Sequence, residues 1–182
     1  MSLTPVLLGL GSNSQRQKNL TAGLDALSML LTDMQCSPVF ESLPVGIRSD
    51  HFYNLVVSGY TSMELSEFDR KLKFIEANNG RYAPDRVGLP LDIDVLLYGQ
   101  AQGDFHGLIL PRPELLKNAF VLWPAALLQP EWVHPQQQQT LAALWRESRI
   151  QQALWPVSFE WHQQPLTPRL LCEAHPAPLL GA

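Results

Sequence analysis

Cysteine is scarce in this chain of 182 residues. The two cysteines, Cys36 and Cys172, are far apart, and neither forms a C-x-x-C pair. This pattern indicates neither a disulfide framework nor a zinc site, so we expect two free thiols in a reducing compartment.

An excess of positive charge and long apolar runs are also missing. Charged residues make up 16% of the chain, and the formal net charge at pH 7 is -4. Such a chain is not expected to bind nucleic acid or an anionic membrane surface. No apolar run is long enough to span a bilayer, and the first residues, MSLTPVLLGLGSN, lack the basic start and cleavage site of a signal peptide. We therefore expect a cytoplasmic protein.

Apolar residues make up 46% of the chain, enough for one folded domain, and their spacing alternates between strand and helix patterns. Residues 6–10 are predicted to form a strand that ends in a Gly-Ser-Asn turn. A leucine stripe over residues 20–34 is typical of a helix. Residues 37–46 predict a strand that runs into a loop, and residues 55–60 predict another strand.

A second helix and a fourth strand complete the pattern. The helix is predicted to start at an N-cap near Ser62 and to end at residues 78–80, Asn-Asn-Gly. Residues 89–99 then form the last strand of the series. The order β-α-β-β-α-β predicts an α+β fold of the ferredoxin-like type, with an antiparallel sheet beneath two helices.

The rest of the chain is richer in Gln, Pro and Trp. Residues 114–128 and 140–154 are predicted helices, and residues 165–182 are predicted to be a loose tail. We expect one domain over residues 1–135 and a C-terminal extension over residues 136–182 that packs on it.

Two acidic residues interrupt the strand LPLDIDVLLYG at residues 89–99. Asp92 and Asp94 share one face of the strand, about 6–7 Å apart, whereas Ile93 points to the other face. Two like charges at this distance repel each other unless a cation or a proton lies between them. A bound metal ion fits the pattern, and so does the alternative that each aspartate pairs with a nearby arginine or caps a turn.

Five short segments follow, in order and spacing, those of one enzyme family. They are LGSN at 10–13, LPVG at 43–46, FYN at 52–54, DID at 92–94 and FVLWP at 120–124. Through these segments the chain resembles the 6-hydroxymethyl-7,8-dihydropterin pyrophosphokinases over residues 5–135. The resemblance implies an enzyme of folate biosynthesis that transfers the β,γ-diphosphate of ATP to the hydroxymethyl oxygen of the reduced pterin and releases AMP.

The resemblance also implies roles for individual residues. Asp92 and Asp94 are expected to bind two magnesium ions, and Arg81 and Arg112 complete the expected catalytic group. The expected pterin contacts are Ser42, Leu43, Val45, Phe52, Asn54 and Phe120. The expected ATP contacts are Lys73, Glu76, Arg86, Val95, Arg112 and Lys117. A monomer is expected, with an oligomer as the open alternative.

Several basic residues of the family pattern are absent. Leu89 and Ala83 stand where the family has arginines, and another family arginine falls on Lys117, or on Asn118 in a second register. Arg112 stands where the family has histidine.

Three interpretations of these departures stay open. Arg86, Arg112 and Lys117 can supply the missing charges from shifted positions, because a phosphate needs a cation at a place in space. Alternatively, the chain acts on a different pterin or diphosphate donor. In the third interpretation, the chain is a pterin-binding or structural protein with no transferase activity.

Overall fold

An antiparallel sheet lies at the centre of the computed structural model, which describes residues 2–43 and 51–178. The first elements are β1 (Thr4–Ser12), α1 (Arg16–Leu30), β2 (Thr32–Cys36), β3 (Val39–Ser42), β4 (Phe52–Thr61), α2 (Leu65–Asn78) and β5 (Asp92–Tyr98). A small hairpin of β6 (Gly103–Phe105) and β7 (Leu108–Leu110) follows. The later elements are α3 (Glu114–Lys117), α4 (Ala119–Leu128), α5 (Leu141–Glu147), β8 (Leu154–Val157), β9 (Glu160–Trp161), β10 (Gln164–Pro165) and α6 (Arg169–Ala174).

The strand order of the main sheet is β5-β1-β4-β3-β8, and β2 also pairs with β4. Because β2 and β3 pair with successive parts of β4, they act together as the second strand of the β-α-β-β-α-β pattern. Every pair in this sheet is antiparallel. The predicted α+β fold of the ferredoxin-like type is therefore confirmed, with β8 added beyond β3.

Both faces of the sheet are covered by helices. On one face, α1 and α2 bury a core that includes Leu8, Leu24 and Phe68. On the other face, α4 and α5 bury a second core around Leu7 and Leu122. Both faces of β1 are therefore buried, and consecutive residues along this strand are apolar instead of alternating with polar ones. The sequence predicted helices in the segments that form α4 and α5, but not that they cover the second face of the sheet.

The first helix is shorter than the leucine stripe predicted. It ends at Leu30, and Leu31 already has an extended backbone with φ -105° and ψ 147°. Residues 32–36 pair with β4 as β2, so Met34 lies in a strand and its assignment to the helix was wrong. Backbone pairing with a distant strand outweighed the local periodicity here.

Two predicted helix boundaries also differ from the structure. The N-cap of α2 is Glu64, with an extended backbone, and not Ser62. The helix predicted over residues 114–128 is divided into α3 and α4, because Asn118 has φ -116° and ψ 122°. This break places the first turn of α4 beside the sheet, next to the aspartates of β5.

The C-terminal region is more ordered than the sequence indicated. The helix predicted over residues 140–154 is only α5, capped by the Thr140 side chain, and Leu154 begins strand β8. Within the predicted loose tail, residues 169–174 form α6, and the buried Thr167 Oγ1 accepts the backbone N–H of Val39 at 3.0 Å. Thr167 therefore attaches the described part of this segment to the sheet.

Both cysteines are free thiols, as predicted. Burial raises the pKa of the Cys36 thiol to about 12, which keeps it protonated at neutral pH. Across residues 2–43 and 51–178, each helix is too short or too polar to cross a bilayer.

Candidate active site

The two aspartates lie on β5, the edge strand next to β1. Asp92 is opposite Gly11 and Asp94 is opposite Gly9, so both carboxylates stand on the same face of the sheet. Their side chains are 30% and 33% exposed, whereas Ile93 and its neighbours on the opposite face are buried in the core. The strand thus fixes two partly exposed carboxylates side by side.

Each aspartate has an arginine partner. Arg81 Nη1 donates to Asp92 Oδ1 at 2.9 Å, and Arg112 Nη2 lies 3.3 Å from Asp94 Oδ1. Arg112 also lies 3.3 Å from Glu114 Oε2 through its Nε, but without hydrogen-bond geometry. The two expected catalytic arginines therefore reach the aspartates, and each ion pair uses one carboxylate oxygen.

The arginines do not fully offset the repulsion between the two carboxylates. Burial, followed by the charge of Asp92, raises the pKa of Asp94 to about 7, although Arg112 acts in the opposite direction. A raised carboxyl pKa means that the ionised form is less favourable here than in water. Additional positive charge at this position would stabilise the ionised pair.

A cavity of about 220 Å³ lies between the sheet and the α3–α4 region. Its lining includes Asp92, Asp94, Asn54, Asn118 and Phe120. The site therefore combines carboxylates, two amides and an aromatic ring around one space. A flat ring with polar edges fits these groups, since an aromatic face can stack and amides can pair with ring edges.

The Asn54 amide is fixed by a hydrogen bond on one side and fits into the space beside a glycine on the other. Its Nδ2 donates to the Oγ of Ser42 at 3.1 Å, which links two of the residues expected to contact pterin. On the other side, a Cβ at Gly11 would lie only 2.8 Å from Asn54 Oδ1. Glycine at position 11 therefore leaves the space that this amide occupies.

The remaining residues of the expected pterin group lie at the end of the sheet. Phe52 begins β4 opposite Ser42 of β3, and Leu43 is 40% exposed just beyond β3. Val45 lies outside the described residues.

The residues predicted to contact ATP are less closely grouped. Lys73 is exposed on α2 and pairs with Asp69 at 3.0 Å, and Lys117 is exposed at the end of α3. Arg86 lines a different cleft of about 490 Å³, between the start of α1 and the loop after α2. The Val95 side chain is 1% exposed and packs in the core, outside the lining of the 220 Å³ cavity, and its contact with ATP stays a prediction.

Glu76 has an internal role in this structure. It is 6% exposed, and its Oε2 accepts the backbone N–H of Ile93 at 2.8 Å while lying 3.9 Å from Arg81 Nη1. Glu76 thereby ties α2 to the edge strand at the residue between the two aspartates. Its predicted contact with ATP stays a prediction.

The sequence analysis did not single out Gly9, and it assigned Gly11 to a turn after the first strand, whereas both glycines lie within β1. Gly9 and Gly11 alternate within a strand, at the same two-residue period as Asp92 and Asp94. Glycine inside a strand often marks a place where a ligand or another chain segment comes close. That signal was available in the sequence.

Comparison with known proteins agrees with these observations. The model of the 7,8-dihydro-6-hydroxymethylpterin-pyrophosphokinase (HPPK) family matches residues 7–130 of the chain. The chain belongs to this family. Membership confirms the predicted resemblance and places the chain among the pyrophosphokinases, which transfer a diphosphate.

Bacterial relatives of the chain carry the name 2-amino-4-hydroxy-6-hydroxymethyldihydropteridine pyrophosphokinase. The Aquifex aeolicus protein is 32% identical over 136 residues, which cover 73% of this chain and 85% of that protein. The Pseudomonas aeruginosa protein is 33% identical over 131 residues, covering 69% and 81%. The Synechocystis protein is 29% identical over 156 residues, covering 84% and 80%.

Solved structures with the same fold include wild-type HPPK-DHPS of Plasmodium falciparum with pteroate. The TM-score is 0.64 at 14% identity, over 80% of this chain and 42% of that one. The chain thus spans less than half of that longer protein, and the likeness supports the HPPK fold alone. The HPPK family match ends at residue 130, before α5 and β8.

Proposed function

We propose that the chain transfers the β,γ-diphosphate of ATP to the hydroxymethyl group of 6-hydroxymethyl-7,8-dihydropterin and releases AMP, as a step of folate biosynthesis. The observation that carries this proposal is the cavity of about 220 Å³ that the aspartate pair, the Asn54 amide and the Phe120 ring line together. In this reaction the pterin hydroxyl oxygen bonds to the β-phosphorus of ATP. The bond from that phosphorus to the oxygen shared with the α-phosphate breaks, AMP leaves with this oxygen, and the hydroxyl proton passes to solvent.

The aspartate pair is chemically suited to magnesium. Within the part of the chain that the structure describes, no group of three or more His, Cys, Asp or Glu side chains could hold a metal ion. Magnesium commonly takes only one or two carboxylates from a protein and the rest of its ligands from water and phosphates, so Asp92 and Asp94 fit as its protein ligands. When bound, magnesium would neutralise phosphate charge. The raised pKa of Asp94 supports the same assignment, since a cation would relieve the repulsion.

The protein residues would act mainly by orientation and by charge. Phe120 would stack on the pterin ring, and Asn54, held by Ser42, would pair with its polar edge. Arg112 and Arg81 lie beside the aspartates, where their charges could act on the transferred phosphates. Arg112 is therefore the best-supported replacement for a missing basic residue of the family, whereas Arg86 faces the separate cleft.

We also propose that the C-terminal extension, residues 136–182, packs on the domain of residues 1–135. Strand β8 pairs with β3 along four residues, and Leu141 of α5 is fully buried in the second core. The cytoplasmic location and the monomeric state stay predictions.

The experiment measures AMP formation from ATP, magnesium and 6-hydroxymethyl-7,8-dihydropterin by the wild-type chain and its variants. Asp92→Asn and Asp94→Asn should each lower the rate of AMP formation about 100-fold or more. Each variant lacks a carboxylate for magnesium, so the charge on the transferred phosphates is less well stabilised. Both variants should also lose the stabilisation that magnesium and a non-hydrolysable ATP analogue confer in thermal unfolding. Glu131→Gln, which removes an exposed charge outside the cavity lining, should change neither result.

Two results would contradict the proposal. Full activity of the aspartate variants would exclude the metal assignment. Tight pterin binding by the wild-type chain without any AMP would exclude the transferase and favour the pterin-binding alternative.

A further inference from the structure

Gln152 lies beyond the region matched by the family, yet its side chain reaches the start of α4. Its Oε1 accepts the backbone N–H of Ala119 at 2.7 Å, and its Nε2 donates to Asn118 Oδ1 at 3.1 Å. Asn118 is the N-cap residue of α4 but makes no capping bond with its own side chain. Gln152 therefore supplies the cap and holds the Asn118 side chain at the same time.

This pairing determines which end of the Asn118 amide is available. Because Asn118 Oδ1 accepts the bond from Gln152, the opposite end of the amide is its Nδ2 donor. Asn118 also lines the 220 Å³ cavity together with Asp94 and Phe120. A neutral N–H donor is thus available beside a carboxylate and an aromatic ring.

The size of the cavity indicates which ligand this donor can meet. Cavities that hold drug-sized ligands measure about 300–1,000 Å³. At about 220 Å³, this one accommodates a small ring system and not a whole nucleotide. The ring that stacks on Phe120 in the proposed function is the pterin.

We propose that Gln152 is a positioning residue for the pterin: it orients the Asn118 amide so that Nδ2 donates to an acceptor atom of the ring. The inference rests on the proposed function and adds to it a side chain from the C-terminal extension. The competing explanation is that Gln152 only caps α4.

The variant Gln152→Glu separates these two roles. Its carboxylate keeps an oxygen acceptor for the Ala119 N–H but loses the donor to Asn118, and the facing oxygens repel each other. The Asn118 amide should then reverse and present its oxygen to the ring. Gln152→Ala removes both contacts. As a control, Gln151→Glu adds the same charge at the exposed neighbouring residue, which makes neither of these two hydrogen bonds.

The test is steady-state kinetics with ATP, magnesium and the pterin, combined with thermal unfolding. Losing one hydrogen bond to the pterin should raise KM for the pterin about tenfold in Gln152→Glu, while kcat and KM for ATP change less than about twofold. Asn118→Ala should raise KM for the pterin by the same factor. The double variant with Gln152→Glu and Asn118→Ala should show no further increase. Gln152→Ala should also unfold at a lower temperature, and Gln151→Glu should match the wild type.

The outcomes separate this inference from the proposed function. If the wild-type chain forms AMP but Gln152→Glu keeps the wild-type KM for the pterin, or if its effect adds to that of Asn118→Ala, Gln152 is only a cap. If the wild-type chain neither binds the pterin nor forms AMP, the proposed function itself fails and the inference falls with it.

Discussion

Replacing Glu76 with alanine should destabilise the fold and disturb the aspartate strand. Glu76 Oε2 is the partner of the Ile93 backbone N–H on the outer edge of β5. Without it, this buried donor has no acceptor, which costs about 1–3 kcal/mol of unfolding free energy. Loss of the Glu76 methylene from the core adds roughly 0.8 kcal/mol to this cost. Removal of the carboxylate offsets part of the sum, because burying a charged group is unfavourable.

The expected net loss is about 1–3 kcal/mol. For a chain of this length, each kcal/mol lowers Tm by about 2–4 °C, so Glu76→Ala should melt roughly 2–12 °C below the wild type. Glu76→Gln keeps an oxygen acceptor for Ile93 and should stay within about 1 kcal/mol of the wild type. AMP formation should fall more in the alanine variant, because Ile93 separates Asp92 from Asp94.

The comparison of Glu76→Gln with the wild type should depend on pH. Burial, followed by the charges of Asp92 and Asp69, raises the pKa of Glu76 above its ordinary value of 4.5, against the opposing effects of the Ile93 hydrogen bond and Arg81. The ionised form is therefore less favourable in the folded state than in the unfolded chain. The contribution of Glu76 to the unfolding free energy of the wild type is fully present at low pH. It is lost as the pH rises from about 4.5 through the raised pKa of Glu76 in the folded state. Glutamine does not titrate, so the variant should gain relative to the wild type across that window.

The measurement is urea or thermal unfolding of the magnesium-free protein at pH 4 and pH 8, with Glu67→Ala as the exposed control on the same helix. The reasoning is refuted if Glu76→Ala is as stable as the wild type within about 0.5 kcal/mol. It is also refuted if the glutamine variant loses as much stability as the alanine variant, since the charge and not the acceptor would then matter.

Two further predictions concern the cavity and the C-terminal extension. Gly11→Ala should displace the Asn54 amide from its place between Gly11 and Ser42, because the new Cβ would lie 2.8 Å from Asn54 Oδ1, and KM for the pterin should rise several-fold. The change should be smaller in Gly9→Ala, whose Cβ meets Leu96 at an ordinary 3.5 Å, and equal effects of the two variants would contradict this prediction. A chain that ends after Arg149 lacks β8 and the buried Trp155 and Phe159, so it should lose cooperative thermal unfolding by circular dichroism. A wild-type melting curve would instead show that the segment after Arg149 is dispensable.

Local patterns in the sequence were sufficient for the central fold and for part of the site. The strand and helix periods predicted β-α-β-β-α-β, and the two-residue spacing of Asp92 and Asp94 required one shared face. These predictions succeed because they depend on geometry within a single element. The same reasoning failed where local preferences conflicted with distant pairing, as at Met34 in β2 and Leu154 in β8.

Only the tertiary structure decided which remote groups meet at the cavity and behind the aspartate strand. Glu76 and Ile93 are 17 residues apart in sequence, and Asn118 and Gln152 are 34 apart. Neither pair has a spacing that a helix or a strand would produce, so no local period could reveal the contacts. They form because the sheet and its two helical layers bring remote segments together to bury apolar surface, and the polar groups enclosed with that surface must then find partners.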